Sequence, residues 1–267
     1  MGSEKKGVII AVANQKGGVA KTTTVQHLGY ALRENHGKRV LLIDNDPQAN
    51  LTSVFGIVPG SLEQTIFDVL RGDCALSEVI IEENKEGPTL DLAPANIELS
   101  RAEIELIGEI NATYLLKSAI TPAFLEGPDS YDYVLIDCPP SLGILTVNAL
   151  ACADYVVVPI QPEMYALEGL QALENTIDKV KKRANSNLRV LGWLITLHDG
   201  RTRIHRDVTS IFRQRYGPEL FDTIISVNTS IREAQASKKT VIQYDSSRTG
   251  AKNYSQLAEE VIKRVGV

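Results

Sequence analysis

Short apolar runs, several rich in β-branched residues, recur along the chain and alternate with stretches of helical spacing. Residues 8–12, 39–43, 133–136 and 155–158 lack the apolar–polar alternation of a half-exposed strand, as expected of parallel strands covered on both faces. Residues 188–197 form a further strand candidate. Helices are predicted over residues 21–35, stopped by Gly37, over 203–216 and over 250–264. Strands alternating with helices imply right-handed βαβ crossovers. The expected fold is therefore α/β, a doubly wound, mostly parallel sheet with helices on both faces. Ligands of such sheets sit beyond the carboxyl ends of the strands. Residues 60–128 are less regular and read as helical decoration on the same unit. A single domain over 1–267 is expected, with 1–6 flexible.

Composition narrows the class. With 43% hydrophobic and 23% charged residues, the chain has the makeup of a globular protein and not of a disordered one. No window approaches the ~18 apolar residues of a membrane span, and the short polar start is no signal peptide. Cys74, Cys138 and Cys152 form no paired spacing. This fits a reducing compartment and disfavours an iron–sulfur cluster. The net charge of −5 is unevenly spread. Lys181, Lys182, Arg183, Arg189, Arg201, Arg203, Arg206, Arg213 and Arg215 face only Asp199 and Asp207 within 181–215, a basic segment able to hold phosphate.

The chemistry centres on the turn after the first strand, Asn14-Gln15-Lys16-Gly17-Gly18-Val19-Ala20-Lys21-Thr22-Thr23-Thr24. Strand, glycine-rich turn and helix form the context of a phosphate-binding loop. Gly17 and Gly18 let backbone N–H groups curl around phosphate oxygens, with Val19, Ala20 and Thr23 in the same cradle. The helix N-terminus adds its positive dipole. Lys21 is placed to reach the outer phosphates and Thr22 to offer its hydroxyl to Mg²⁺. Asp44 and Asp46 follow the second strand, in Asp44-Asn45-Asp46-Pro47-Gln48, and this places two carboxylates near the phosphates. Asp137, at the carboxyl end of a buried strand and ahead of Pro139-Pro140, is placed to hold Mg²⁺ through water.

The pattern GxxxxGK[ST] is not met, because Gln15 and Ala20 stand at its glycines. The loop resembles the deviant form KGGxxK[TS] of the ParA/MinD/nitrogenase-iron-protein class. Ala20 stands where most members have glycine. If the site needs positive φ, alanine costs on the order of 1 kcal/mol, so the loop either keeps φ negative or shifts. The chain is similar to the ParA/Soj partition ATPases in particular, from about Val8 to Val261. Residues 159–170, Thr196-Leu197-His198-Asp199-Gly200-Arg201-Thr202, Glu233-Ala234, Tyr244-Asp245 and 247–250 carry that likeness.

The resemblance implies ATP and Mg²⁺ as ligands, slow ATP hydrolysis and a homodimer formed on ATP. Lys16 then reaches the partner's nucleotide, Asp46 positions the attacking water, Asp44 helps hold the Mg²⁺ hydration shell, and Asn228 lies near the adenine. It also implies a cytoplasmic, nucleoid-associated protein that binds double-stranded DNA non-specifically and is released by a ParB-type adaptor. Arg201 is the DNA contact carried over by position; Arg203, Arg206, Arg213 and Arg215 are added from charge. Relatives often read IPRNVRLSEA where this chain has residues 225–234. Two arginines of that pattern are missing, and Arg232 lies two places beyond the second. Alternatives are a ParA-like ATPase that positions a protein cargo and a MinD-like membrane-associated ATPase. The tail 257–267 is short, mixed in charge and without aromatics, so stable membrane association is not expected.

Overall fold

The computed structural model describes residues 6–82, 89–163 and 166–266, without the side chains of 166–168. Of the start expected to be flexible, residues 1–6, all but Lys6 lie outside the described residues, as do Met164 and Tyr165 of the family-like segment.

Six strands, β1 (Val8–Val12), β2 (Val40–Asp44), β3 (Leu90–Ala93), β4 (Tyr133–Asp137), β5 (Tyr155–Ile160) and β6 (Arg189–Ile195), form one sheet in the order β3-β2-β4-β1-β5-β6. Every pairing in it is parallel. Alternate residues of each strand enter two separate cores. Ile9, Ala11, Leu41, Ile43, Val134 and Ile136 pack on one face, and Val8, Ile10, Val12, Val40, Leu42 and Leu135 on the other. Both faces are apolar, which is why the strands show no polar alternation.

Eight helices matter here: α1 (Lys21–His36), α2 (Asn50–Val54), α3 (Ala102–Glu105), α4 (Ile144–Cys152), α5 (Ala166–Arg183), α6 (Arg203–Tyr216), α7 (Thr229–Ala236) and α8 (Thr249–Val265). Leu145 of α4, Leu173 of α5 and Phe212 of α6 cover the first face. Leu28 of α1 and Leu257 of α8 cover the second. Gly37 ends α1 as expected, at φ 61°, with its N–H donating to the Arg33 carbonyl at 2.9 Å.

Two features depart from the sequence reading. Residues 60–128 hold an edge strand, β3, among their short helices. It is only four residues long, and Asp91 in its middle breaks the apolar run. The burial of that carboxylate is made tolerable by the Tyr131 hydroxyl, which donates to it at 2.8 Å. The second is a clamp between α1 and the short helix Val241–Tyr244. His27 is fully buried, with Nδ1 2.9 Å from the Thr23 carbonyl and Nε2 accepting from the Val241 N–H at 3.1 Å. These partners fix a neutral ring with the proton on Nδ1, and burial holds its pKa down to about 4.

Candidate active site

The turn after β1 is pinned before it reaches the glycines. The Asn14 side-chain amide donates to the Pro159 carbonyl at 2.7 Å, and Asn14 Oδ1 accepts the Lys16 N–H at 2.9 Å. At Val19 the carbonyl accepts from the Thr196 hydroxyl at 3.0 Å, so β6 anchors the far side of the loop. Gly18 sits at φ 73° with open space where a Cβ would stand, as a backbone that closes on a ligand requires. Neither way out considered for Ala20 is taken: its φ is 67° and its ψ 34°, so this residue is itself left-handed. Its carbonyl accepts the Thr24 N–H at 2.9 Å and starts α1. Alanine is tolerated there at a cost of about 1 kcal/mol. Leu197, at φ 50°, is a second left-handed residue on the same rim, and Ala49, at φ 51°, is a third beside it. Strain of this kind gathers at functional sites.

Beyond the loop lies an open cleft of about 560 Å³. Gly17, Gly18, Ala20, Lys21, Thr22 and Thr23 line one wall. Asp46, Gln48, Asn50 and Ser53 line another, with Pro140, Leu197 and Gln235 completing it. Lys21 is 7% exposed, and its ammonium donates to the Lys16 carbonyl at 3.1 Å. Burial lowers its pKa against the opposing pull of Asp137.

The carboxylates converge through sheet register. β2 and β4 pair so that Asp44 stands beside Asp137, and β1 pairs Val12 with Asp137. Burial raises the Asp44 pKa to about 6, although hydrogen bonds from Thr52 oppose the shift. Asp137 is pushed well above the carboxylate range by burial and then by the charge of Asp44, while the Thr22 hydroxyl and Lys21 pull it back. Neither Asp137 oxygen has a well-formed hydrogen bond among the described residues. Two buried carboxylates side by side, one of them unsatisfied, form a donor set that a hard divalent cation fits. Asp137 and Thr22 would hold such an ion. The Asp44 oxygens are already engaged: Oδ2 accepts from the Thr52 N–H at 2.8 Å and hydroxyl at 2.7 Å, and Oδ1 from the Asp46 N–H at 3.3 Å. Asp44 thus shapes the turn that carries Asp46, while adding negative charge beside Asp137. Asp46 Oδ1 in turn accepts the Gln48 N–H at 2.9 Å.

Sequence reasoning missed Thr52, whose hydroxyl also accepts the Ala95 N–H at 2.9 Å. Nothing in its local pattern marks it. It also missed Glu163, which is ion-paired with Lys16. Asn228 stands outside the cleft lining; its Oδ1 caps α7 by accepting from the Ser230 N–H at 2.9 Å and hydroxyl at 2.7 Å.

The basic segment is not one patch. Arg201, Arg203 and Arg206 gather at the start of α6, just past the carboxyl end of β6. Arg201 is 89% exposed and bonds both oxygens of Asp199 at 2.8 Å, which holds that carboxyl well below its usual range. Arg203 pairs with Asp207 at 3.3 Å, and Arg206 donates to the Gly200 carbonyl at 2.7 Å. Arg213 and Arg215 lie at the other end of the helix, roughly 15–18 Å along its axis. Arg215 is bound to Glu174 of α5 at 2.9 Å and lies over the Tyr216 ring. Arg232, on α7, is exposed.

A family model described as an AAA domain matches residues 7–190. The sporulation initiation inhibitor protein Soj of Bacillus subtilis is 44% identical over 96% of this chain and 98% of its own length. The chromosome partitioning protein ParA of Caulobacter vibrioides is 43% identical over 96% of this chain and 94% of its own. The chain belongs to the Soj/ParA family of P-loop proteins. Its fold is close to the crystal structure of cobyrinic acid a,c-diamide synthase from Mycobacterium smegmatis with bound ATP analog and magnesium. That likeness has a TM-score of 0.83 at 38% identity, covering 97% of this chain and 96% of that one. A plasmid partition protein from Borrelia burgdorferi superposes with a TM-score of 0.74 at 27% identity, over 97% of this chain and 100% of that one.

Proposed function

We propose that this protein is a Mg²⁺-dependent partition ATPase of slow turnover. In this reading it dimerises on ATP, binds double-stranded DNA without sequence preference, and is released when a ParB-type adaptor stimulates hydrolysis. The observation that carries the reading is the convergence of the phosphate loop, Lys21 and Asp46 on one cleft, with the unsatisfied Asp137 buried behind Lys21 and Thr22. The partition role is supported by the relatives named for it. Soj and ParA match this chain at higher identity than the synthase does, which favours the partition reading.

Backbone N–H groups from Gly17 to Thr23 surround the phosphates, and the Lys21 ammonium exchanges the Lys16 carbonyl for phosphate oxygens. Thr22 and Asp137 would hold Mg²⁺, which would supply neutralisation of phosphate charge. Asp46, braced by Asp44 and Thr52, orients the attacking water; positioning accounts for most of the rate in this chemistry. Lys16 lies at the rim and half exposed, where it can reach a second subunit's nucleotide. Arg201, Arg203 and Arg206 follow the carboxyl end of β6, on the side of the sheet where the cleft opens, so a dimer closed over ATP would align two such clusters for a DNA backbone. Among the described residues no helix is long and apolar enough to cross a membrane. A cytoplasmic, nucleoid-bound protein is the corresponding location.

Binding to random-sequence duplex DNA with ATP, with ADP and without nucleotide, at two salt concentrations, tests the proposal. Binding confined to ATP and steeply weakened by salt is expected. Intact ATP affinity with no DNA binding in any state would overturn the partition reading.

A further inference from the structure

A further cavity, of about 430 Å³, opens farther along α1 than the cleft: Gln26 and Tyr30 line it, whereas Lys21, Thr22 and Thr23 line the cleft. Val54, the last residue of α2, lines both. The walls of this cavity divide by chemistry. Tyr30, Phe55, Ile57 and Ile81 make an apolar side, with the two rings 6.5 Å apart and tilted by 40°. Lys238 and Lys239, both exposed, make the other, and no carboxylate among the described residues lines it. Lys238 has a left-handed backbone at φ 51°, and its stem lies over Gly56, where a Cβ would stand 3.9 Å from Cδ. Strained backbone persists only where its surroundings hold it, so the turn that carries both lysines is fixed beside the apolar wall. Gln26 is 3% exposed, and its carbonyl oxygen has no hydrogen-bond partner among the described residues. Rotation of that amide toward a ligand donor would remove the cost of burying the oxygen unpaired.

We propose that this cavity is an effector site for a small organic acid, an apolar body that carries one anionic group and a hydrogen-bond donor. Each part of the ligand is selected by a part of the wall. Two lysines without an opposing carboxylate select the anion, and the rings and aliphatic side chains select the apolar body. The volume falls within the range of small-molecule pockets. A nucleic-acid backbone would satisfy the lysines but leave the apolar wall unfilled. The site also has a route to the nucleotide. α2 carries Thr52, whose hydroxyl holds Asp44, and Val54 stands two residues further on between the two cavities. A ligand seated against Val54 and Phe55 restrains α2, and with it the turn that carries Asp46. Nucleotide and effector then alter each other's affinity by the same factor.

The site stands apart from the partition role. It is tested on the full chain with anilinonaphthalene sulfonate, an aromatic anion whose fluorescence rises in apolar surroundings. Uncharged phenylnaphthylamine, the same rings without the sulfonate, is the control. The sulfonate should bind one to a chain and about tenfold more tightly than the amine. Its affinity should fall about tenfold in Lys238→Gln/Lys239→Gln and in Ile57→Trp, which fills the cavity. Saturating ADP with Mg²⁺ should shift that affinity by about fivefold without displacing the probe. No binding by the wild type, equal affinity in both variants, or preference for the amine overturns the proposal. Full displacement by ADP with binding intact in Ile57→Trp places the probe in the cleft and overturns it as well, and an affinity that ADP leaves unchanged removes the effector role. Loss of ATP-dependent DNA binding in the lysine variant, with probe binding intact, overturns it by assigning those lysines to DNA. Absent DNA binding by the wild type, with probe binding as expected, would sink the partition reading and leave this site standing.

Discussion

Lys16 and Glu163, 147 positions apart, form an ion pair within one chain. Under the proposed mechanism that lysine must leave Glu163 to reach the partner's phosphates. Both side chains are about half exposed, so the pair is worth only ~0.2–1 kcal/mol. Glu163→Gln should therefore strengthen ATP-dependent dimerisation by about two- to fivefold, whereas Lys16→Ala should abolish it. Sedimentation velocity with ATP reads both; an unchanged dimer constant in Glu163→Gln would show that the pair does not restrain the lysine.

Asp46 lines the cleft, and its hydrogen bonds tie it to the backbone of Gln48 and to Asp44. Asp46→Asn should keep ATP affinity within a few-fold and lower phosphate release by on the order of 10²-fold. Thr52→Val removes the hydroxyl from Asp44 and should lower turnover less, because it displaces Asp46 without replacing it. Steady-state phosphate release with a parallel nucleotide-binding titration separates the two effects.

Ala20 holds a left-handed backbone that glycine adopts freely. Ala20→Gly should stabilise the fold by up to about 0.6 kcal/mol after the added freedom of the unfolded glycine is subtracted. Urea unfolding measures it. A loss of stability would show that the surrounding turn does not feel the strain.

Two buried groups titrate against each other. Asp44 rises from 3.8 to about 6 on folding, so the folded state holds its proton longer and stability falls as pH climbs between those values. His27 falls from 6.5 to about 4, so stability rises with pH from about 4 to 6.5. The slopes oppose over the same window. In His27→Gln the Asp44 slope is unmasked, and stability should decline from pH 4 to 6 by up to about 1.4 kcal/mol per unit. Asp137 adds a loss of the same sign. Urea midpoints across that range decide it, and a rising profile would refute the assignment. Stabilisation by Mg²⁺ with ADP should grow with rising pH, because burial holds the Asp137 proton, and vanish in Asp137→Asn.

Arg201→Ala should weaken ATP-dependent DNA binding and reduce the salt slope by about 1. Arg215→Ala should leave both unchanged, because that guanidinium is only 38% exposed, against 89% for Arg201, and lies at the far end of α6. Equal losses in the two variants would show that DNA follows the whole of α6.

Local order made much of this protein legible in its sequence. Five of the six strands, α1 with its stop at Gly37, α6 and α8 follow from runs of apolar residues and from capping, because each is settled within a few neighbours. The turn after β1, Asp46 and Asp137 were legible as strand-end positions for the same reason: each is placed by its own strand and the turn that follows it. The tertiary structure alone decided how these pieces meet. The β2–β4 register sets Asp44 beside Asp137, and Thr52 then draws Asp44 into bracing Asp46. β3 escaped notice because a hydroxyl 40 residues away satisfies its buried Asp91. Glu163 and His27 likewise take their roles from partners far along the chain. The basic run 181–215 divides because a helix carries its two ends apart, a separation that charge counting cannot detect. Burial and distant hydrogen bonds are properties of the packed chain, and they are what turns a row of ionisable residues into a site.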